Sequence, residues 1–244
     1  MSLLEFLFER NMLDWEAISR GVLAFLSGQN PYLVGHDSSR FFNPIWSALL
    51  LAPLAELPAN MQPITLAVLP LVVAVMLSRH FRFRGLRLLL FLLTPTLWFC
   101  IAYGNIDWLV WLGLLLPTPI GLLLLAIKPQ TTVLVILVIL LRMKPQHRLL
   151  AVLPLTFAVA WWVFGYGVYA PHNNSGNIAW WPYSLILGVP LAVLSLWRKS
   201  LKLAMVAGVF CTPYVSVTGL WGLSLATPVF GGLWFFILYY IKTA

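Results

Sequence analysis

Residues 108–141 read WLVWLGLLLPTPIGLLLLAIKPQTTVLVILVILL. Two proline-containing interruptions, at 117–119 and 128–130, divide this apolar stretch into three pieces. Each piece has about 8 to 11 residues and as a helix would cover roughly 12–17 Å. The hydrocarbon core of a bilayer is about 30 Å thick, so no piece can cross it alone. We therefore expect broken half-helices here, enclosed by protein or lining a wet cavity, because non-helical backbone is not tolerated against lipid.

The composition of the whole chain indicates a membrane protein. Hydrophobic residues make up 61% of the 244 residues and charged residues 9%, whereas a soluble domain has about 25% charged residues. The long Leu/Val/Ile runs lack the period-2 alternation of a membrane barrel, which favours helices. We predict an all-α integral membrane protein, a polytopic helical bundle. Its predicted parts are an outer-face polar segment with juxtamembrane helices (1–43) and a transmembrane bundle (44–244).

The predicted helices follow from hydropathy, prolines and loop charge. The stretch 44–57 is too short to span and is read as a re-entrant or juxtamembrane helix. One helix is expected near 14–27, and the expected spans are 62–78, 88–103, 149–169, 178–197, 203–218 and 223–241.

Most of the basic residues predict the orientation of the bundle. They cluster in short loops, which is the positive-inside pattern of cytoplasmic loops. The net charge of +8 is therefore not a nucleic-acid signal. We expect a bacterial-type plasma membrane location, with a cytoplasmic C-terminus and an extracytoplasmic active face. The main clusters are Arg79, Arg82, Arg84 and Arg87; Arg142, Lys144 and Arg148; and Arg198, Lys199 and Lys202.

The carboxylates are concentrated at the start of the chain. Charge is costly in a bilayer and is kept mainly where function needs it. A carboxylate at the outer surface, such as Asp14, can act as a general base on a sugar hydroxyl; the alternative is an ordinary helix start. Asp14 and Glu16 do not face one another on a helix, so no metal is assigned, although a divalent cation is left open. The seven carboxylates are Glu5, Glu9, Asp14, Glu16, Asp37, Glu56 and Asp107.

Three further places carry candidate residues. Lys128 lies at a helix break without basic neighbours and would suit a lipid phosphate; the alternative is snorkelling to the headgroups. Gly104 permits close backbone approach beside the polar Asn105 and Asp107, although a simple interfacial turn would also explain the segment. His172 lies in an Asn-rich loop, where a histidine is usually solvated.

Several motifs together resemble the GT-C superfamily of membrane glycosyltransferases, and most of all glycosyltransferase family 87, whose members use polyprenol-phosphate-mannose. The resemblance covers roughly residues 14–145. The motifs are Asp14-Trp15-Glu16-Ala17, Gly28-Gln29-Asn30-Pro31-Tyr32, Phe41-Phe42-Asn43-Pro44, Pro53-Leu54-Ala55-Glu56-Leu57-Pro58, Gly104-Asn105 and Lys128-Pro129-Gln130.

The resemblance implies an inverting transfer of a mannose-like or other sugar from a polyprenyl-phosphate donor to a lipid or glycan acceptor. It assigns the catalytic base to Asp14. It also places Lys128 and Gln130 near the donor phosphate. The residues expected to contact substrate are Glu16, Asn30, Tyr32, Asn105, Asp107 and His172.

Two other functional classes stay open. One is a non-catalytic subunit or degenerate transferase within a larger membrane complex, because residues 1–13 are too short and too charged to span. The other is a lipid-handling or transport protein, in which broken helices also occur, although no paired repeats are visible here. Membrane lipids are expected around the bundle in every case, and a membrane protein partner in the first.

Overall fold

A computed structural model describes residues 12–35, 40–166, 177–216, 218–230 and 233 of the chain. All regular secondary structure in these ranges is helical, as the sequence predicted. Short 3-10 helices occupy Pro31–Leu33 and Thr218–Leu220. The α-helices are α1 Leu13–Leu26, α2 Ile45–Ala55, α3 Gln62–His80, α4 Leu86–Leu92, α5 Pro95–Tyr103, α6 Asp107–Leu112, α7 Thr118–Leu125, α8 Pro129–Arg142, α9 Pro145–Tyr166, α10 Leu185–Trp197, α11 Leu201–Cys211 and α12 Trp221–Ala226.

In the described part of the chain, three helical stretches are long and apolar enough to cross a membrane. They are Gln62–His80, the combined stretch Leu86–Tyr103, and Pro145–Tyr166. The last of these, α9, is mostly exposed along its length, as expected of a helix surrounded by lipid. These helices are consistent with an integral membrane protein. The orientation of the bundle stays a prediction.

Prolines explain where the observed helices differ from the predicted spans. The expected helix 88–103 is divided after Leu92, because the residue before Pro95 disfavours helical backbone. The expected span 203–218 ends at Cys211, shortly before Pro213, and α12 ends at Ala226, shortly before Pro228. The span predicted at 178–197 begins only at Leu185.

The expected breaks between α6, α7 and α8 are present, although α8, with 14 residues, is longer than predicted. Proline cannot donate a backbone hydrogen bond, so the break at Pro129 leaves carbonyl groups without their helical partners. The Thr132 hydroxyl lies 2.6 Å from Leu125 O and 2.9 Å from Lys128 O. The Thr131 hydroxyl donates to Lys128 O at 3.3 Å. Side chains thus satisfy the interrupted backbone, which is what allows a break at depth.

Replacing Thr132 with Val should therefore destabilise the protein. The substitution keeps the shape of the side chain but removes the shortest hydrogen bond to Leu125 O, whose other donor, the Lys128 N–H, lies at 3.4 Å. We expect a cost of about 1–3 kcal/mol. Thermal unfolding in detergent measures the effect. Thr65→Val is the matched control, because the hydrogen bond of Thr65 to Met61 O is exposed. Equal melting temperatures for the two variants would contradict this account.

The amphipathic helix α1 lies against the bundle with one buried face, which includes Trp15, Ile18 and Val22. This face packs on α2 and reaches the C-terminal end of α5. Gly21 makes the contact close, since a Cβ there would overlap the side chain of Phe41. The packing brings the start of α1 to the turn between α5 and α6.

Candidate functional site

Four polar side chains from three separate segments meet in one hydrogen-bonded group, which we call the polar cluster: Asp14, Asn105, Asp107 and Lys128. Asn105 Nδ2 donates to Asp14 Oδ2 at 2.6 Å. Lys128 Nζ donates to Asn105 Oδ1 at 3.2 Å and forms an ion pair with Asp107 Oδ1 at 2.8 Å. Asp14 is partly buried and the other three are buried. The cluster unites three of the segments that the sequence singled out.

The turn between α5 and α6 fixes the position of Asn105. Gly104 ends α5 in the left-handed conformation at φ +63°, which glycine adopts without steric cost. The Asn105 N–H then donates to Cys100 O at 2.9 Å, a typical helix C-terminal bond. The Cys100 thiol donates in turn to Asn105 O at 3.1 Å. Asn105 Oδ1 also accepts the Asp107 N–H at 3.0 Å, where α6 begins.

Trp15 holds α1, and with it Asp14, against this turn. Its side chain is 2% exposed, and its Nε1 donates to Gln62 Oε1 at 2.7 Å. Gln62 is anchored by its own bond to Leu57 O at 2.8 Å. A Cβ placed on Gly104 would lie only 2.7 Å from the Cβ of Trp15. The absence of a side chain at Gly104 therefore lets Asp14 reach Asn105.

Gly104→Ala should weaken this junction in two ways, through strain at positive φ and through overlap with Trp15. We expect a loss of about 2–3 kcal/mol in unfolding free energy, measured by thermal unfolding. Gly28→Ala separates the two causes, because Gly28 also has positive φ (+79°) but no heavy atom within 4 Å of an added Cβ. If both variants lose the same amount, the close contact with Trp15 contributes nothing.

The charges of the polar cluster do not balance when all groups are ionised, because two carboxylates share one ammonium. Burial raises the pKa of Asp14; the hydrogen bond from Asn105 and the charge of Lys128 oppose the shift, and the charge of Asp107 adds to it. Asp107 Oδ2 is buried without a hydrogen-bond partner among the described residues. Asp14 therefore retains its proton more readily than a carboxylate in water.

Two neighbours of the polar cluster were not predicted as site residues. One is Cys100, whose thiol contacts the Asn105 backbone. The other is Tyr214, in the segment after α11. Burial raises the pKa of the Tyr214 hydroxyl, and the charges of Lys128, Asp14 and Asp107 also act on it. No local motif marks Tyr214, and only the packing of α11 against α8 brings this segment near the cluster.

Several predicted site residues lie apart from the cluster or have other contacts. The side chain of Asn30 accepts the Tyr32 N–H at 3.0 Å and caps a 3-10 helix. The buried Tyr32 hydroxyl donates to Asn43 O at 2.8 Å, which gives Tyr32 a role in holding the loop. Glu16 and Gln130 are exposed. His172 lies outside the described residues.

The geometry shows how two of the predicted site residues are connected. The amide of Asn105 joins the side chains of Asp14 and Lys128 directly. In the ranges that the structure describes, no three His, Cys, Asp or Glu side chains are grouped so that they could hold a metal ion.

Comparison of the chain with protein families, with curated proteins and with solved structures finds no match. Among the residues that the structure describes, the fold is all-helical, with three potential membrane spans and a buried, ion-paired polar cluster.

Proposed function

We propose that the protein is a GT-C-type membrane glycosyltransferase that moves a sugar from a polyprenyl-phosphate donor to a hydroxyl acceptor on the extracytoplasmic side. The observation that carries the proposal is the junction of Asp14 with Lys128 through Asn105. It places a partly exposed carboxylate and an ammonium in one site, although 114 positions separate them in the chain. A base and a cation are the two groups that this reaction requires.

In the proposed reaction the acceptor oxygen attacks the anomeric carbon of the donor sugar. The acceptor proton passes to Asp14, and the bond between the anomeric carbon and the phosphate oxygen breaks. The polyprenyl phosphate leaves with the electron pair, and attack from the opposite face inverts the anomeric centre. The Asn105 amide donates to Oδ2 of Asp14, and Oδ1 accepts no hydrogen bond from the described residues. Oδ1 is therefore the oxygen assigned to the acceptor proton.

Lys128 is assigned to the negative charge of the donor phosphate. Two of its three N–H groups bond Asn105 and Asp107. The third has no partner in the part of the chain that the structure describes, so it is available to a ligand. A compact ammonium is a common phosphate-binding group, and its charge would stabilise the leaving group as the bond breaks. Gln130, two positions further along the chain, is exposed at the start of α8.

A second candidate is a non-catalytic subunit of a membrane complex. One observation favours it, namely that the cluster groups largely satisfy one another and leave Lys128 only 9% exposed. The ion pair, together with the hydrogen bonds of Asn105, would also serve to hold α1, α6 and the start of α8 together. Under this alternative Asp14 has a structural role, and the protein by itself has no turnover.

The test uses the full chain, purified and reconstituted into lipid vesicles. Mannosyl and pentosyl polyprenyl phosphates labelled in the sugar are added together with a lipid and glycan extract from bacterial membranes as acceptor. The expected result is transfer of label into the acceptor fraction with stoichiometric release of polyprenyl phosphate, above the level in protein-free vesicles. A folded protein that releases no polyprenyl phosphate from any donor contradicts the proposal. Recovery of the chain with one fixed membrane protein in constant ratio would then support the subunit alternative.

A further inference from the structure

We propose that Asn105 is a positioning residue that orients Asp14 and couples its protonation to Lys128, rather than a residue that binds substrate. This inference rests on the proposed function, because it concerns the base of that reaction. Its starting point is that the side chain of Asn105 has three polar contacts, with Asp14, Lys128 and the Asp107 N–H, which is more than any other side chain of the polar cluster. Its backbone and its side-chain amide are both fixed by groups on neighbouring segments.

The chemistry of its partners determines which way the Asn105 amide points. An ammonium and a backbone N–H can only donate hydrogen bonds. Lys128 Nζ and the Asp107 N–H both lie at Oδ1, at 3.2 Å and 3.0 Å. Oδ1 must therefore be the carbonyl oxygen, and the NH₂ group must face Asp14. The 2.6 Å contact with Asp14 Oδ2 is then a bond from an amide donor to a carboxylate.

This orientation connects a cation at one end of the amide with an anion at the other. Lys128 withdraws electron density through Oδ1, which strengthens the N–H donor directed at Asp14, since hydrogen bonds in series polarise one another. The bond stabilises the ionised form of Asp14, which is the form that can accept a proton. It also occupies Oδ2 and leaves Oδ1 for the acceptor. Oδ1 already accepts two hydrogen bonds, so the second N–H of the amide is the one side-chain group of Asn105 without a partner among the described residues.

Other titratable groups also act on Asp14, and each comes from a different element. Asp107 on α6 opposes its ionisation, whereas Lys128 before α8 favours it. Cys100 on α5 and Tyr214 after α11 are close enough to interact with the charge of Asp14. Among the described residues, Asn105 is the one whose side chain bonds Asp14 directly. Its removal should therefore change the titration of Asp14 most directly.

The test compares the pH dependence of sugar transfer in wild type, Asn105→Ala, Asn105→Gln and Cys100→Ala. Loss of the amide donor raises the pKa of Asp14, so the acid limb of the profile in Asn105→Ala should move upward by about one pH unit. Transfer by this variant should fall about 5-fold at the wild-type acid midpoint, approach a loss of about 10-fold at lower pH, and fall less at higher pH. Asn105→Gln retains the amide and should recover part of the shift. Cys100→Ala perturbs the same turn without removing the amide, and its midpoint should match wild type.

A second readout does not depend on turnover. Infrared spectroscopy of the protein in vesicles follows the carboxyl band that Asp14→Asn removes, and this band should titrate at higher pH in Asn105→Ala. A uniform loss of transfer at every pH, or an unshifted band in a folded variant, overturns the role of Asn105 alone. Absence of transfer by wild type overturns the proposed function and the positioning role with it. The two failures are therefore distinguishable.

Discussion

Asp14→Asn is expected to reduce sugar transfer by about 10³-fold while leaving the fold intact. A general base contributes typically 10²–10⁴-fold to a rate, and Asn cannot accept the proton of the acceptor hydroxyl. The substitution is nearly isosteric, and the Asn side-chain oxygen can still accept the hydrogen bond from Asn105 Nδ2. Binding of the donor should change little, because the phosphate is assigned to Lys128. The measurement is transfer from labelled donor in vesicles, with donor affinity determined separately by competition.

The matched control is Glu56→Gln, which also neutralises one carboxylate. Glu56 is exposed at the C-terminal end of α2 and belongs to none of the groups in the cluster. Its variant should transfer sugar at the wild-type rate. If Asp14→Asn retains the wild-type rate in a chain with wild-type melting temperature, Asp14 is not the base.

Removal of the Lys128 ammonium is expected to lower the free energy of unfolding more than any other change proposed for this protein. Lys128→Met keeps an unbranched apolar stem but leaves Asp107, which is 1% exposed, without its ion-pair partner. Breaking a buried pair in this way costs roughly 3–5 kcal/mol, mainly because the remaining charge is buried and uncompensated. Thermal unfolding and size-exclusion chromatography in detergent measure the loss. Lys144→Met is the control, since Lys144 is exposed in the loop between α8 and α9.

A double variant distinguishes lost charge compensation from lost packing. Lys128→Met combined with Asp107→Asn removes both charges and should recover more than half of the stability lost in Lys128→Met. Such recovery is the expected behaviour of a buried pair, whose replacement by neutral groups is often tolerated. A double variant no more stable than the single one would mean that the ion pair does not account for the effect.

The sequence predicted the helical class and most helix positions because apolar runs and prolines are local signals. The helix predicted near 14–27 is observed at Leu13–Leu26, and the two interruptions predicted at 117–119 and 128–130 lie slightly earlier in the chain, at 113–117 and 126–128. Helix ends were less predictable. The N-terminal limit of α10 at Leu185 depends on the packing of residues 177–184 against the segment after α11, where the Ile178 N–H donates to Val215 O at 2.8 Å.

The sequence singled out the four residues of the polar cluster, but it did not predict how they are arranged. Asp14, Asn105, Asp107 and Lys128 were each marked by being polar in an apolar chain, which is a property of the sequence. Which of them pair depends on the close approach of α1 to Gly104, and this distance has no sequence signature beyond the glycine itself. The placement of Tyr214 near the cluster depends on helix packing between residues far apart in the chain.

The ion pair between Asp107 and Lys128 constrains how this region is inserted during synthesis. Asp107 precedes Lys128 by 21 positions, so the ribosome releases the acidic end of the region before the basic end. A lone charge in the hydrocarbon layer is costly. We expect the route of lowest energy to insert α6, α7 and the start of α8 together, as one hairpin in which Asp107 and Lys128 are already paired. The insertion machinery would therefore handle this stretch as a single unit rather than as successive helices.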